Sequence, residues 1–302
     1  MRFVCHRTGK KLVFNTKQEY EAHLDRLRKQ HRNLPHDRSR RARPNVSKQT
    51  SQRPDAIPPF DYELRDESDL RPKINPPSKK WKFSLVHPSR GRPEPAWRCM
   101  RMWLSRASDH NPIEYVISLD RDDAKGYLEF IREGTGKLDF KVVIGPNENI
   151  VQALNRGAKA ATGDVLIYLS DDFECPMNWD REIQKAVLAK TDSNDWVLGV
   201  FDGHQKNTQT ISIMSRTYYK RFGYMYYPDY ISMWADPDFT ETAKALGKLL
   251  DGFHLTFKHN HYTFGGMAFD ATYEKQNSSK AWQHGEKLFY KRKANNFGVK
   301  KC

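Results

Sequence analysis

Apolar residues along this chain fall into short runs whose period keeps changing. KFSLVHP (82–88), EYVISLD (114–120), FKVVIG (140–145), DVLIYLS (164–170) and WVLGVFDG (196–203) are nearly continuous apolar runs of strand length. Between them the spacing becomes helical. Trp97, Met100, Trp103 and Leu104 share one side of a helix over Trp97–Ala107, and 125–134 forms a second helical stretch. Ile150, Val151, Leu154, Ala158 and Ala161 share a face over 149–163, with Gly163 expected as the stop, and 179–190 is helical again. Strands alternating with helices predict an α/β fold: an open, mostly parallel sheet flanked by helices. In such sheets ligands bind beyond the carboxyl ends of the strands.

The first 80 residues read differently. MRFVC and KLVFN flank the turn HRTGK, and a capping box at Thr16 and Glu19 opens a helix with Tyr20, Leu24 and Leu27 on one side. Residues 1–33 are therefore expected to form a small basic ββα unit. Residues 34–80 are rich in Pro, Ser and Arg and read as a linker or extended arm. Residues 1–31 faintly resemble a C2H2 zinc finger through Cys5, His23 and His31. Thr8 stands where a second cysteine belongs and the His23-to-His31 interval is too long, so Zn²⁺ is not expected there.

Composition sharpens the division. The 302 residues carry 51 Lys and Arg against 37 Asp and Glu, a formal net charge of +14. Residues 1–80 hold 20 basic and 10 acidic side chains, so most of the excess is N-terminal. Residues 276–302 add a second basic patch with interleaved aromatics, Phe289, Tyr290 and Phe297. Such segments neutralise phosphates without reading sequence. Mean hydropathy is −0.84. No run approaches the length of a membrane span. Four scattered cysteines form no disulfide framework, and the N-terminus lacks a secretory apolar region. The expected location is the cytoplasm, that of the host if the protein is viral.

Candidate chemistry collects at the strand ends. The first strand of the large domain ends in His87-Pro88-Ser89-Arg90-Gly91-Arg92-Pro93, the second in Asp120-Arg121-Asp122-Asp123, and the fourth in Ser170-Asp171-Asp172. Two arginines and several carboxylates on one edge suit a diphosphate bridged by a divalent cation, Mg²⁺ or Mn²⁺. SLVHPSRGRP, SLDRDD and NIVQALNRGAKAATGDVLIYLSDDFECPMNWD together resemble the nucleotide-sugar half of a GT-A (Rossmann-like) glycosyltransferase, in the manner of family 2. The resemblance spans about residues 81–185 and continues more loosely to 275, within a domain covering 81–302.

That resemblance implies roles. Pro88, Ser89, Arg90 and Arg92 would lie along the nucleotide, and Asp120 would face the base. Asn155 and Arg156 would flank the ribose and diphosphate. Asp172 would be the metal ligand. Ser170 replaces the first of three carboxylates common in the family, so Asp171 is open between ribose and metal. In the acceptor half, 186–275, YYPDYISMWADPDFTETAKALG resembles the family's acidic segment before a helix with buried Phe239, Ala243, Leu246 and Leu249. Asp236 is the expected general base, with Asp238 the alternative. The late strand ending in His259 and His261 offers a further metal ligand at either position. Trp179 and Trp234 are candidates to line the sugar or acceptor pocket.

The implied activity is metal-dependent hexosyl or pentosyl transfer from a nucleotide-diphosphate sugar, a UDP-sugar being the expected donor. Nothing in the residues fixes an inverting or retaining outcome. The basic N-terminus suggests a nucleic-acid acceptor, such as a hydroxymethylated base in viral DNA. A saccharide or glycan acceptor is the alternative. A nucleotidyltransferase would share the acidic motif but would more often carry a Gly-rich loop after its first strand. A nucleic-acid-binding protein with a decayed transferase domain is the third reading.

Overall fold

The computed structural model describes residues 3–7, 10–14 and 79–299, apart from 135–138, 265, 267 and 268. The chain divides into two units, residues 1–73 and 74–302. In the first, β1 (Phe3–Arg7) and β2 (Lys10–Phe14) form an antiparallel hairpin with Cys5 opposite Leu12, as the two apolar runs predict. The helix expected from Thr16, and all of the arm but its last two residues, lie outside the described residues.

The strands of the second unit are β3 (Phe83–Ser89), β4 (Ile113–Asp120), β5 (Asp139–Gly145), β6 (Val165–Tyr168), β7 (Phe173–Glu174), β8 (Val197–Phe201), β9 (Ile213–Ser215), β10 (Leu249–Thr256) and β11 (Lys258–His259). Seven of them make one sheet in the order β10-β8-β9-β6-β3-β4-β5. Strands β5, β4, β3 and β6 run parallel, as do β8 and β10, and only β9 is reversed. Every residue of β3 is buried, because helices cover both faces of the sheet at its centre.

Helices α1 (Pro93–Ser105), α2 (Leu128–Gly134), α3 (Ile150–Ala160), α4 (Trp179–Leu188), α5 (Arg216–Phe222), α6 (Ala235–Ala245), α7 (Ala271–Gln276) and α8 (Ser279–Ala294) complete the unit. Trp103 of α1 and Trp179 of α4 pack with Phe83, Leu85 and Tyr115 on one face. Leu154 of α3, Tyr218 of α5, Phe239 of α6 and Phe289 of α8 pack with Val86, Val116 and Leu166 on the other. Close approach of α3 requires Gly157, where a Cβ would stand 2.9 Å from Val86 Cγ1.

Several boundaries differ from expectation for local reasons. Helix α1 starts at Pro93, four residues early, because proline is tolerated in a first turn whose N–H groups have no helical partner. Helix α3 stops at Ala160, and Gly163 sits in the following turn, where a Cβ would meet the Lys82 carbonyl at 2.7 Å. Leu249 opens β10 and is not part of the helix face with Phe239. Residues 279–294, read as a basic tail, form α8, whose Phe289 is buried. No described helix is long and apolar enough to cross a membrane.

The topology fixes where a ligand belongs. The chain leaves β3 toward β4 and β5, then returns to β6 on the opposite side of β3. The strand order reverses at β3, and the crevice beyond its carboxyl end is the expected binding position.

Candidate active site

A cleft of about 690 Å³ opens at this reversal. The end of β3 contributes Pro88 and Ser89, the loop after it Arg90 and Arg92, β4 contributes Asp120, and the segment after β6 contributes Ser170, Asp171 and Asp172. Asp236, His259 and His261 line the same cleft. Pro88, Asp120 and Asp172 meet because the parallel strands β3, β4 and β6 end on one edge, and α6 and the segment from β11 bring Asp236, His259 and His261 to it from up to 173 positions away.

Local structure explains the placement of Asp172. Strand β6 ends at Tyr168, and the 171–172 turn leads into β7. The turn is held from below: Trp103 Nε1 donates to the Phe173 carbonyl at 3.0 Å, and Cys99 Sγ lies 3.3 Å from the Ser170 carbonyl. Strand β11 pairs antiparallel with β7, setting His259 opposite Phe173. His259 Nε2 then lies 3.2 Å from Asp172 Oδ2, which also accepts a 2.8 Å bond from the Tyr273 hydroxyl. Asp172 Oδ1 is buried with no hydrogen-bond partner. Burial raises the Asp172 carboxyl, but the hydrogen bond and charge of His259, with the Ser170 and Tyr273 hydroxyls, hold it well below the usual carboxylate range.

The late strand ends at His259, and His261 lies beyond β11, outside any strand. Its ring is nevertheless 5.1 Å from that of His259, and its Nδ1 is 2.8 Å from Thr263 Oγ1. Burial and the neighbouring His259 push His261 down to about 4, so its ring is neutral at neutral pH. Among the described residues no three His, Cys, Asp or Glu side chains are already grouped as metal ligands. The donor set present still fits a hard cation: one buried carboxylate oxygen lacks any partner, and a neutral imidazole stands near. Mg²⁺ and Mn²⁺ take few protein ligands and fill the rest of the shell with phosphate oxygens and water.

The arginines are engaged with carboxylates. Arg90 makes a two-pronged contact with Asp122, 2.7 Å on each side, and reaches Asp120 at 3.0 Å. Arg92 is buried, paired with Asp270 at 2.6 and 2.7 Å, and stacked over the Tyr273 ring at 4.0 Å. Asp270 and Tyr273, on and before α7, have no sequence signature, and only long-range packing brings them here. His87 and Ser89 both bond Asp171 Oδ1, at 2.9 and 2.8 Å.

Asp236 and Asp238 separate clearly. Both lie within the first turn of α6, not before the helix as expected. Trp234, immediately ahead, adopts a left-handed φ of 73°, turning the chain so that Asp236 faces the cleft. Burial pushes the Asp236 carboxyl up to about 6. Asp238 points away: it is buried, bonded by Tyr230 at 3.0 Å and paired with Arg292 of α8 at 2.6 Å.

Four further candidates do not line the cleft. Asn155 accepts from the Met225 and Tyr226 amides and donates to the Tyr226 carbonyl, fixing a segment whose Tyr226 side chain does line it. Arg156 bonds the Leu119 and Pro146 carbonyls and Asp120 Oδ1. Trp179 is fully buried against Trp103 and Phe83. Trp234 packs with Trp282, Phe289 and Tyr290. Asp202, which sequence reasoning did not single out, lines the cleft and caps the His204 and Gln205 amides.

A search of curated proteins finds no match. Among solved structures, the mannosyltransferase PcManGT from Pyrobaculum calidifontis, in complex with GDP-Man and Mn²⁺, is 12% identical over 76% of this chain and 80% of that one, with a TM-score of 0.48. S. aureus TarS 1-349 in complex with UDP is 16% identical over 56% of this chain and 57% of that one, with a TM-score of 0.46. The same TarS fragment in complex with UDP-GlcNAc is 14% identical over 72% of this chain and 73% of that one, at 0.46. The profile described as glycosyl transferase family 2 matches residues 84–249, more than half of the chain and every strand from β3 to β9. The chain belongs to glycosyl transferase family 2 and is a glycosyltransferase.

Proposed function

We propose that this protein transfers a sugar from a nucleotide-diphosphate sugar to an acceptor hydroxyl, with a divalent cation at Asp172 and Asp236 as general base. One observation carries the reading: a buried carboxylate oxygen without a partner, Asp172 Oδ1, shares a cleft with a carboxyl raised to about 6, Asp236. The first is the group a cation would satisfy. The second is suited to proton transfer, because a base works best when its pKa lies near the working pH.

Asp172 would hold the cation, with His259 or His261 as a further ligand once His259 gives up its contact to Asp172. A bound Mn²⁺ or Mg²⁺ would supply charge stabilisation to the departing diphosphate. Ser89, Arg90 and Asp120 would align the nucleotide. Arg90 and Arg92 have carboxylate partners, so contact with phosphate would exchange Asp122 or Asp270 for the ligand. Asp236 would accept the acceptor's hydroxyl proton. For the acceptor, the basic excess of residues 1–80 favours DNA. A saccharide acceptor is the second reading, favoured by the tyrosines Tyr168, Tyr226 and Tyr273 around the cleft, against which a sugar ring can stack.

The test is a thermal-shift panel of UDP, GDP, CDP and ADP, each with and without Mn²⁺. A ligand bound only by the folded state raises the melting temperature by mass action. The expected outcome is one nucleoside diphosphate that stabilises the protein and does so more with Mn²⁺. A panel with no Mn²⁺-dependent shift contradicts the reading.

A further inference from the structure

Beneath the cleft runs a line of buried polar groups that the chemistry above does not use. His87 and Tyr115 are both fully buried. His87 pairs in register with Ile117, so Tyr115, two residues earlier on β4, lies on the same face of the sheet. The His87 ring makes a close Nδ1 contact with the Tyr115 hydroxyl and lies 2.9 Å from Asp171 Oδ1 through Nε2. Burial holds the Tyr115 hydroxyl well above its ordinary range, so it keeps its proton.

These contacts fix the ring. Nε2 is turned to Asp171 Oδ1 and Nδ1 to the Tyr115 hydroxyl, so both ring nitrogens are engaged and the imidazole is held in one orientation. Ser89 Oγ, 2.8 Å from the Tyr127 hydroxyl, occupies the same Asp171 oxygen from another side. Oδ1 therefore has two protein partners. Oδ2 is left for the cleft, with Arg92 Nη1 at 3.9 Å. Burying a histidine and a tyrosine hydroxyl costs free energy unless each is satisfied, and here each satisfies the next until the line ends on a cleft carboxylate.

We infer that His87, locked by Tyr115, is a positioning residue that sets which oxygen of Asp171 faces the donor nucleotide. The inference rests on the nucleotide reading of the cleft given above. It assigns a function to β3 beyond its packing: the strand places an imidazole where the motif after β6 needs a fixed partner, in a chain whose Ser170 supplies no carboxylate at that motif's first position.

The experiment is a double-mutant cycle on nucleotide binding by the full chain. The probe is whichever of UDP, GDP, CDP and ADP, with Mn²⁺, most raises the wild-type melting temperature, and its Kd is measured by calorimetry. His87→Leu should weaken binding by about 10- to 100-fold, the usual loss when the partner that orients a site group is removed. His87→Gln, which can still donate toward Asp171, should recover most of that loss. Asp171→Asn should weaken binding, and adding His87→Leu to it should cause no further loss, because the imidazole acts only through that carboxylate. If His87→Leu fails to fold, Tyr115→Phe takes its place in the cycle, with a smaller loss that again vanishes in the Asp171→Asn background. Losses that multiply in the double variant, or a folded His87→Leu protein that binds as wild type, overturn the inference while leaving the nucleotide reading intact. A wild-type protein that binds none of the four nucleotides overturns both.

Discussion

Asp236 and Asp238 sit two positions apart at the start of α6, and only Asp236 faces the cleft. Asp236→Asn is nearly isosteric, so it should leave nucleotide binding intact while lowering turnover by about 10²–10⁴, the range expected for a lost general base. Steady-state kcat beside a calorimetric Kd checks this, and a normal kcat for Asp236→Asn would move the base elsewhere. Stability makes an independent prediction. The folded-state pKa of Asp236, about 6, lies above the ordinary 3.8. The folded state therefore binds more protons than the unfolded one across this window, and stability falls as pH rises from about 4 through about 6. At pH 8 the wild type carries that cost in full and Asp236→Asn does not. The variant should be more stable by about 1–3 kcal/mol at pH 8, with the gain gone below pH 4. Urea midpoints of the metal-free proteins at the two pH values read this directly. An equal gap at both would show that burial of the charge is not its cause.

Among the elements, α8 shows how packing can outweigh local composition. Its sequence is Lys-rich and reads as a basic tail, yet Phe289 is buried and Arg292 closes over Asp238 and the Tyr227 ring. Arg292→Met should destabilise the protein by roughly 3 kcal/mol, because removing one partner of a largely buried ion pair strands the other. Restoring much of that loss with Asp238→Asn in the same chain would identify the stranded carboxylate as the cause. The contrast with β3 to β6 explains what the sequence made legible. Of these, β3, β4 and β6 are covered on both faces, so each appears as an apolar run, and the strand-end rule then places Arg90, Asp120, Asp171 and Asp172 on one edge. β9 spans three residues, too short for a period, and β10 is interrupted by Asp251 and Gly252. His87, Asp270 and Tyr273 reach the site through contacts 84 to 178 residues apart in sequence, which no local pattern encodes. Asn155 and Trp179 carry the right residue types in the right order but face into packing, because their helices turn those positions inward.

For the whole molecule, charge is the property that bears on the acceptor. Residues 1–80 supply 20 of the 51 basic side chains and only 10 of the 37 acidic ones. If DNA is the acceptor, binding by the full chain should weaken steeply as salt rises, because each neutralised phosphate releases condensed counterions. Removing residues 1–73, the first of the two units, should flatten that dependence while hydrolysis of the nucleotide sugar by the remaining unit persists. Salt-independent or absent DNA binding by the full chain would transfer the case to a saccharide acceptor. The cleft itself is where, on the proposed function, nucleotide sugar and cation would meet at Asp172. That meeting is tested most directly by nucleoside diphosphate release from UDP- and GDP-sugars by the full-length protein, with Mn²⁺ and then with excess chelator. Release should stop on chelation, resume when Mn²⁺ is restored, and be absent in a folded Asp172→Ala variant. Undiminished release in chelator, or an Asp172→Ala protein as active as wild type, would contradict the proposed function.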